Sequence, residues 1–319
     1  MKSIVVSHYG KGDFKDVQSA IDSIPKNNKE NVTIYIREGR YRQRIIVDSP
    51  NITLVGIGKV TITYDVGAND IGEDGKPIGT FRTATTMISA KNFTAINVTF
   101  ENAAGPGAVA GQALALFINA DRVCFHRCKF LGSQDTIYTG NSNEAEHDGA
   151  GEGIEHRMYF KDCYIEGDVD YIFGGGTAVF ENCEIYTLDR HVEEGHTNGF
   201  ITAASTNEST RFGYVFLGCK LTGVGKKETV YLGRPWRDFA NVAFLYCHME
   251  EQMKREGWHN WSQSEREKTT RYLEYGTTGL RSNLNERVAW SKQLNAQEVL
   301  EYTVEKILSG ADDWQPCFR

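Results

Sequence analysis

Five times between residues 125 and 249 the chain repeats one short phrase: a phenylalanine, two residues, a cysteine, one residue and an apolar side chain. The copies are Phe125-x-x-Cys128-x-Phe130, Phe160-x-x-Cys163-x-Ile165, Phe180-x-x-Cys183-x-Ile185, Phe216-x-x-Cys219-x-Leu221 and Phe244-x-x-Cys247-x-Met249. Phe93-x-x-Ile96-x-Val98 reads as an earlier copy with Ile in the cysteine position. Successive copies start roughly 20 to 36 residues apart, the range of solenoid units that carry loop insertions on one side. One such unit cannot bury its apolar face alone, whereas stacked units build a continuous core. Equivalent positions then line up along the axis about 4.8 Å apart, giving an internal phenylalanine ladder beside a cysteine ladder. The expected fold is all-β, a parallel β-helix.

The flanks agree with this reading. Val32, Ile34 and Ile36 alternate with Thr33 and Tyr35, and short β-branched runs follow at 45–47, 52–55 and 60–63. From there to about residue 250 no long segment has helical periodicity. A helix is expected over 13–24, with Asp13 as N-cap, Phe14, Val17, Ala20, Ile21 and Ile24 on one face, and Pro25 as its stop. A second is expected to open on the capping box Asn295-Ala296-Gln297-Glu298, turn Leu300, Val304, Ile307 and Leu308 inward, and end at Gly310. Both fit a solenoid whose end coils need covering. No linker divides the chain, so 1–319 is read as a single domain.

Composition narrows the partners. A formal charge of −7 argues against nucleic acid, which demands a basic face. No apolar run approaches the ~20 residues that span a bilayer. The laddered cysteines are read as small buried hydrophobes rather than metal ligands, because close Cys-x-x-Cys pairs are missing. Free thiols and the absence of a secretory leader in the first residues point to a cytoplasmic protein, and the lack of a heptad or a long apolar edge points to a monomer. The stretch 141–155, followed by His156, reads as a solvated surface excursion, although His147, Asp148, Glu152, Glu155 and His156 could be imagined around a metal.

The chemistry-bearing residues concentrate in Gly132-Ser133-Gln134-Asp135-Thr136-Ile137-Tyr138 and its echo Gly167-Asp168-Val169-Asp170-Tyr171-Ile172-Phe173-Gly174. Each sets a carboxylate just ahead of a strand-like apolar run. Two fixed carboxylates, the amides of Gln112 and Gln134, and the guanidinium of Arg234 suit acyl chemistry: one Asp attacks, the other handles protons, and the amides hold an oxyanion. Asp168, two residues before Asp170, competes for the nucleophile role, since alternate residues of a strand share a face. No Gly-x-Ser-x-Gly elbow supports a serine route.

Four blocks in order, Gly111-Gln112-Ala113-Leu114-Ala115-Leu116, Gly132 to Tyr138, Asp170-Tyr171-Ile172-Phe173-Gly174 and Leu232-Gly233-Arg234-Pro235-Trp236, resemble the signature blocks of pectin methylesterases. Further similarity lies at 80–85, at 199–203 and around 288–290. The resemblance implies a right-handed parallel β-helix and a carboxylic ester hydrolase that removes methyl groups from the galacturonate esters of pectin without a metal or other cofactor. Its substrate would be methyl-esterified homogalacturonan or its oligosaccharides. It implies Asp170 as nucleophile, Asp135 as general acid and later base, Gln112 and Gln134 as oxyanion donors, and Arg234 as the group that holds Asp170 and lowers its pKa. Thr80, Tyr138, Tyr171, Phe173 and Trp236 would line the sugar cleft, with Gln112 and Arg234 also touching substrate. Gly175-Gly176 stands where the family often has Asn-Ala, Tyr171 where it often has Phe, and the 141–155 excursion lengthens the gap between the two Asp blocks. A β-helix lyase or polygalacturonase, and a β-helix that only binds sugar, are the competing readings.

Overall fold

The computed structural model describes residues 2–140, 155–193, 195–280 and 283–316. The expected excursion over 141–155 thus lies outside the described residues except for Glu155. Parallel strands wind into a right-handed β-helix. One face is a seven-stranded sheet in chain order: Ile45–Val47, Thr86–Ile88, Leu116–Ile118, Ile137–Thr139, Val169–Gly174, Gly199–Ala204 and Val230–Pro235. The remaining strands form a second sheet. Ile52–Tyr64 is long enough to turn a corner, pairing with Phe93–Ile96 through one half and with Thr99–Asn102 through the other.

The repeat owes its form to that corner. Phe125, Phe160, Phe180, Phe216 and Phe244 are paired in register through successive strands. Their rings stack at centroid separations of 4.8, 4.7, 4.6 and 4.3 Å along the axis. Just before each cysteine the chain takes a left-handed residue, Arg127, Asp162, Asn182, Gly218 or Tyr246, with φ between 52° and 61°. One such residue bends a strand sharply. Each thiol then donates to a carbonyl of the preceding coil: Cys163 to Phe125, Cys183 to Phe160, Cys219 to Phe180 and Cys247 to Phe216, at 3.2–3.7 Å. Cysteine serves here as a small apolar residue with a weak donor.

Three expectations need correction. The earlier copy of the repeat is Ala95-x-x-Val98-x-Phe100, because Ala95 pairs with Phe125 and Phe100 with Phe130. Phe93 lies two residues off, still buried, because a shift of two keeps a strand residue on the same face. The first helix is only Val17–Asp22, capped by Asp16, while Asp13 accepts the Val5 N–H instead. At the far end the capping box forms, Asn295 and Glu298 each accepting the other's N–H, but it opens a single tight turn, Glu298–Glu301. Leu300 is exposed and Val299 is buried in its place. A separate helix, Val304–Leu308, starts at Thr303 and packs on the side of the coil against Thr177–Glu181 rather than over its end.

Candidate active site

Three neighbouring coils bring the polar groups together. Ala113 N–H donates to the Gln134 carbonyl and Asp135 N–H to the Val169 carbonyl, both at 3.0 Å. Ile137 pairs with Ile172, so Asp135 and Asp170, each two residues earlier, hold the same position in adjacent coils. Both have left-handed backbones, with φ 63° and 51°. That conformation is costly for a side chain other than Asn or Asp, and such strain gathers at functional sites. At Asp170 the pairing with the next strand also slips, between Val169 and Ile172. Close stacking is enforced by Gly174, whose added Cβ would stand 1.9 Å from the Thr139 carbonyl. Gln134 is backed by Gly107, where an added Cβ would lie 2.8 Å from the Gln134 Oε1. Gln112 sits one residue before Ala113, its carbonyl accepting the Ala68 N–H at 2.8 Å.

The two carboxylates differ in their partners. Arg234 holds Asp170 with a fork, Nε to Oδ1 at 2.9 Å and Nη2 to Oδ2 at 2.6 Å. Asp135 is as deeply buried, and its Oδ1 has no hydrogen-bond partner among the described residues. Burial lifts the Asp135 carboxyl well above the usual carboxylate range; Asp170 and Asp168 push it the same way, and Arg234 opposes them. Asp170 departs from expectation. Burial raises it too, and the guanidinium pulls it back without bringing it below the ordinary value. Asp168 is bound elsewhere: its Oδ1 accepts the Val169 N–H at 2.6 Å and its Oδ2 lies 3.7 Å from Arg190 Nε.

Arg234 itself lies between two rings, 3.9 Å from the Phe200 centroid and 3.7 Å from that of Trp261. Beside it runs an aromatic cluster in which Tyr138 and Phe173 pack with Phe117, Phe81 and Trp236. Phe81 leans edge-on against Tyr138 from the tight turn that Thr80 opens, and Trp236 meets Phe173 at 5.7 Å. Three residues expected to line the cleft have little or no exposed surface, and Phe173 is 3% exposed within that cluster. Tyr171 faces the coil interior, fully buried, its hydroxyl 2.9 Å from Thr187 Oγ1. Tyr138 is also fully covered, inside the same aromatic cluster. Phe81, Phe200 and Trp261 were the residues that sequence reasoning did not assign. Phe81 and Phe200 stood inside the secondary blocks of similarity, which was the available signal; for Trp261 there was only an indole in a polar segment. Among the described residues no group of three or more His, Cys, Asp and Glu could hold a metal ion.

Comparison with known proteins fits this arrangement. The family model described as Pectinesterase matches residues 3–311. Pectinesterase 31 of Arabidopsis thaliana is 39% identical over 308 residues, covering 93% of this chain and 89% of that protein. Among solved structures, pectin methylesterase from carrot superposes with a TM-score of 0.82 at 28% identity, covering 96% of this chain and 93% of that one. A pectin methylesterase in complex with a hexasaccharide gives 0.84 at 27%, covering 100% and 99%. A family model over nearly the whole chain and a relative at 39% identity together show that this chain belongs to the pectinesterase family and is a carboxylic ester hydrolase with pectinesterase activity.

Proposed function

We propose that the chain hydrolyses galacturonate methyl esters of homogalacturonan through a covalent intermediate on Asp170. One observation carries the division of labour: Arg234 grips both oxygens of Asp170, while an equally buried oxygen of Asp135 has no partner. The guanidinium favours an ionised Asp170, and burial beside that charge favours a protonated Asp135. An Asp170 oxygen attacks the ester carbonyl carbon, and the carbonyl oxygen takes the negative charge, accepting hydrogen bonds from the Gln112 and Gln134 amides. Each such donor is worth about 3 kcal/mol to the transition state. The C–O bond to methoxide breaks as Asp135 delivers its proton, releasing methanol and leaving a mixed anhydride. Asp135, now a carboxylate, takes a proton from water as the water oxygen attacks the same carbon. Asp170 departs ionised, Asp135 is protonated again, and the product leaves as a free uronic acid that gives its proton to solvent to become the uronate. Phe81 and Trp236, the partly exposed members of the aromatic cluster, offer apolar faces to the sugar rings, and the hexasaccharide bound by a related esterase supports a polymeric substrate.

Methanol release from methylated pectin tests the reading. Asp170→Ala should lower it at least about 10⁴-fold with the fold intact. Asp135→Asn should lower it about 10²- to 10⁴-fold, the range of a lost general acid. Hydrolysis by Asp170→Ala at the parent's rate would exclude the nucleophile; an ultraviolet-absorbing unsaturated product would mark a lyase instead. The enzyme is proposed to act as a monomer, for which sedimentation should give a mass near 35.8 kDa.

A further inference from the structure

Between Gly257 and Ser262 the chain runs alongside the strand that carries Arg234. Leu232 N–H donates to the Gly257 carbonyl at 2.7 Å, and His259 N–H to the Gly233 carbonyl at 3.0 Å. The backbone then enters the left-handed region twice, at Trp261 with φ 57° and Ser262 with φ 55°. A tryptophan adopts that conformation only when its surroundings hold it there. Two side-chain acceptors do so: His259 Nδ1 receives the Trp261 N–H and Asn260 Oδ1 the Ser262 N–H, each at 2.9 Å. The His259 ring also leans on Phe200 at 5.6 Å and on Tyr231 at 5.1 Å. Phe200 and Trp261 are the two plates between which the Arg234 guanidinium lies. One imidazole therefore supports both.

We propose that His259 is a positioning residue of the esterase: its neutral ring, accepting at Nδ1, holds Trp261 flat on Arg234 and so keeps Asp170 aimed, and protonation of the ring releases that hold. The inference rests on the reading of Asp170 as nucleophile. A protonated imidazole has donors at both nitrogens and cannot accept the Trp261 N–H. Burial first, and then the nearby charges of Arg234 and Lys254, press the ring toward the neutral form, so protonation falls on the acid side of the ordinary histidine value. Tyr231, packed on the same ring and itself near Glu256, stays a neutral phenol because burial raises it. Sensitivity to His259 therefore belongs to acidic conditions, where Asp170 also begins to protonate.

The test compares His259→Asn with His259→Ala. An asparagine can accept an N–H two residues on, as Asn260 already does, but it does not titrate. In the parent the acid limb of kcat should follow two protons; in His259→Asn it should follow one, with a plateau within about twofold of the parent. His259→Ala should lower the plateau about tenfold, a deficit that shrinks in acid where the parent ring is itself protonated, with KM little changed, as expected of a misaimed group. Equal profiles for the parent and His259→Asn, or an unaltered plateau in His259→Ala, would overturn the proposal. A second readout needs neither turnover nor a folded alanine variant. Tryptophan emission of the substrate-free parent should show an acidic transition that disappears in both His259→Asn and Trp261→Phe. Its persistence in His259→Asn would overturn the link between His259 and Trp261. Full turnover by Asp170→Ala would instead overturn the nucleophile while leaving the emission result standing, so the two failures are separable.

Discussion

Asp135 and Asp170 share a backbone conformation, a depth of burial and a position in the coil, and they differ chiefly in what touches their oxygens. In the proposed mechanism this difference of partners makes Asp135 the acid and Asp170 the nucleophile. It also has a pH consequence with a definite sign. Arg234 lowers both carboxyls against the rise caused by burial. Arg234→Gln should therefore move the part of the acid limb of kcat that follows ionisation of Asp170 to higher pH. The alkaline limb, set by deprotonation of Asp135, should move up with it, and the plateau should fall. A pH–rate series on methylated pectin reads all three, and an acid limb that stays put would separate Arg234 from Asp170. Asp135, Asp170, Gln112, Gln134 and Arg234 were legible in the sequence as candidates, by type and block, because acyl transfer restricts the groups that can perform it. Tyr171 was not. A strand alternates its faces, but the left-handed residue just before Tyr171 breaks the alternation, so counting along the chain does not predict which way the phenol points.

At the scale of the element, the phenylalanine–cysteine phrase records a corner more than a strand. The ladders were legible because stacking repeats them, yet the residue that makes the bend, the one before each cysteine, varies among Arg, Asp, Asn, Gly and Tyr and left no motif. The misplaced earlier copy has the same origin: a slip of two residues preserves the apolar face, and only the pairing of Ala95 with Phe125 reveals it. If the left-handed corner is the requirement, its tolerance should follow backbone sterics. Asn182 has φ 57°, and Gly218 does the same work one coil later. Asn182→Gly should leave stability within about 0.5 kcal/mol, whereas Asn182→Val should cost about 1–2 kcal/mol, the price of a left-handed residue with a branched side chain. Urea unfolding midpoints would measure both, and equal losses would point to the lost Asn182–Asp162 hydrogen bond instead of the bend.

The whole molecule is closed differently at its two ends. The first helix covers the opening coil, packing on the strands Lys2–Val6, Val32–Arg42 and Ile45–Val47, and Trp258, Tyr272 and Trp290 stack over the last coils. The final helix belongs to neither end. Its Ile307 and Leu308 cover an apolar patch on the flank formed with Val179, Val215 and Tyr159, so the capping-box pattern misjudged both where the helix starts and where it packs. An amphipathic face says that a partner exists, not which one. What fixes the segment there is Arg157, nearly buried, which pairs with Asp121 and Asp312 and donates to the carbonyls of Leu308 and Ser309 at 3.1 and 2.9 Å. Arg157→Ala should cost about 3 kcal/mol, since it breaks a nearly buried guanidinium's ion pairs to Asp121 and Asp312 and its bonds to two carbonyls. Hydrogen exchange should rise first over 304–312 while the phenylalanine ladder stays protected; uniform loss of protection would mean that the segment is no separate unit. The same lash is acid-sensitive. Arg157 holds the Asp312 carboxyl down at about 2, and a carboxyl depressed by folding adds stability above its unfolded value near 4 that is lost as pH falls toward 2. Exchange over 304–312 in the parent should therefore rise between pH 4 and 2, and in Asp312→Asn it should already be raised at neutral pH.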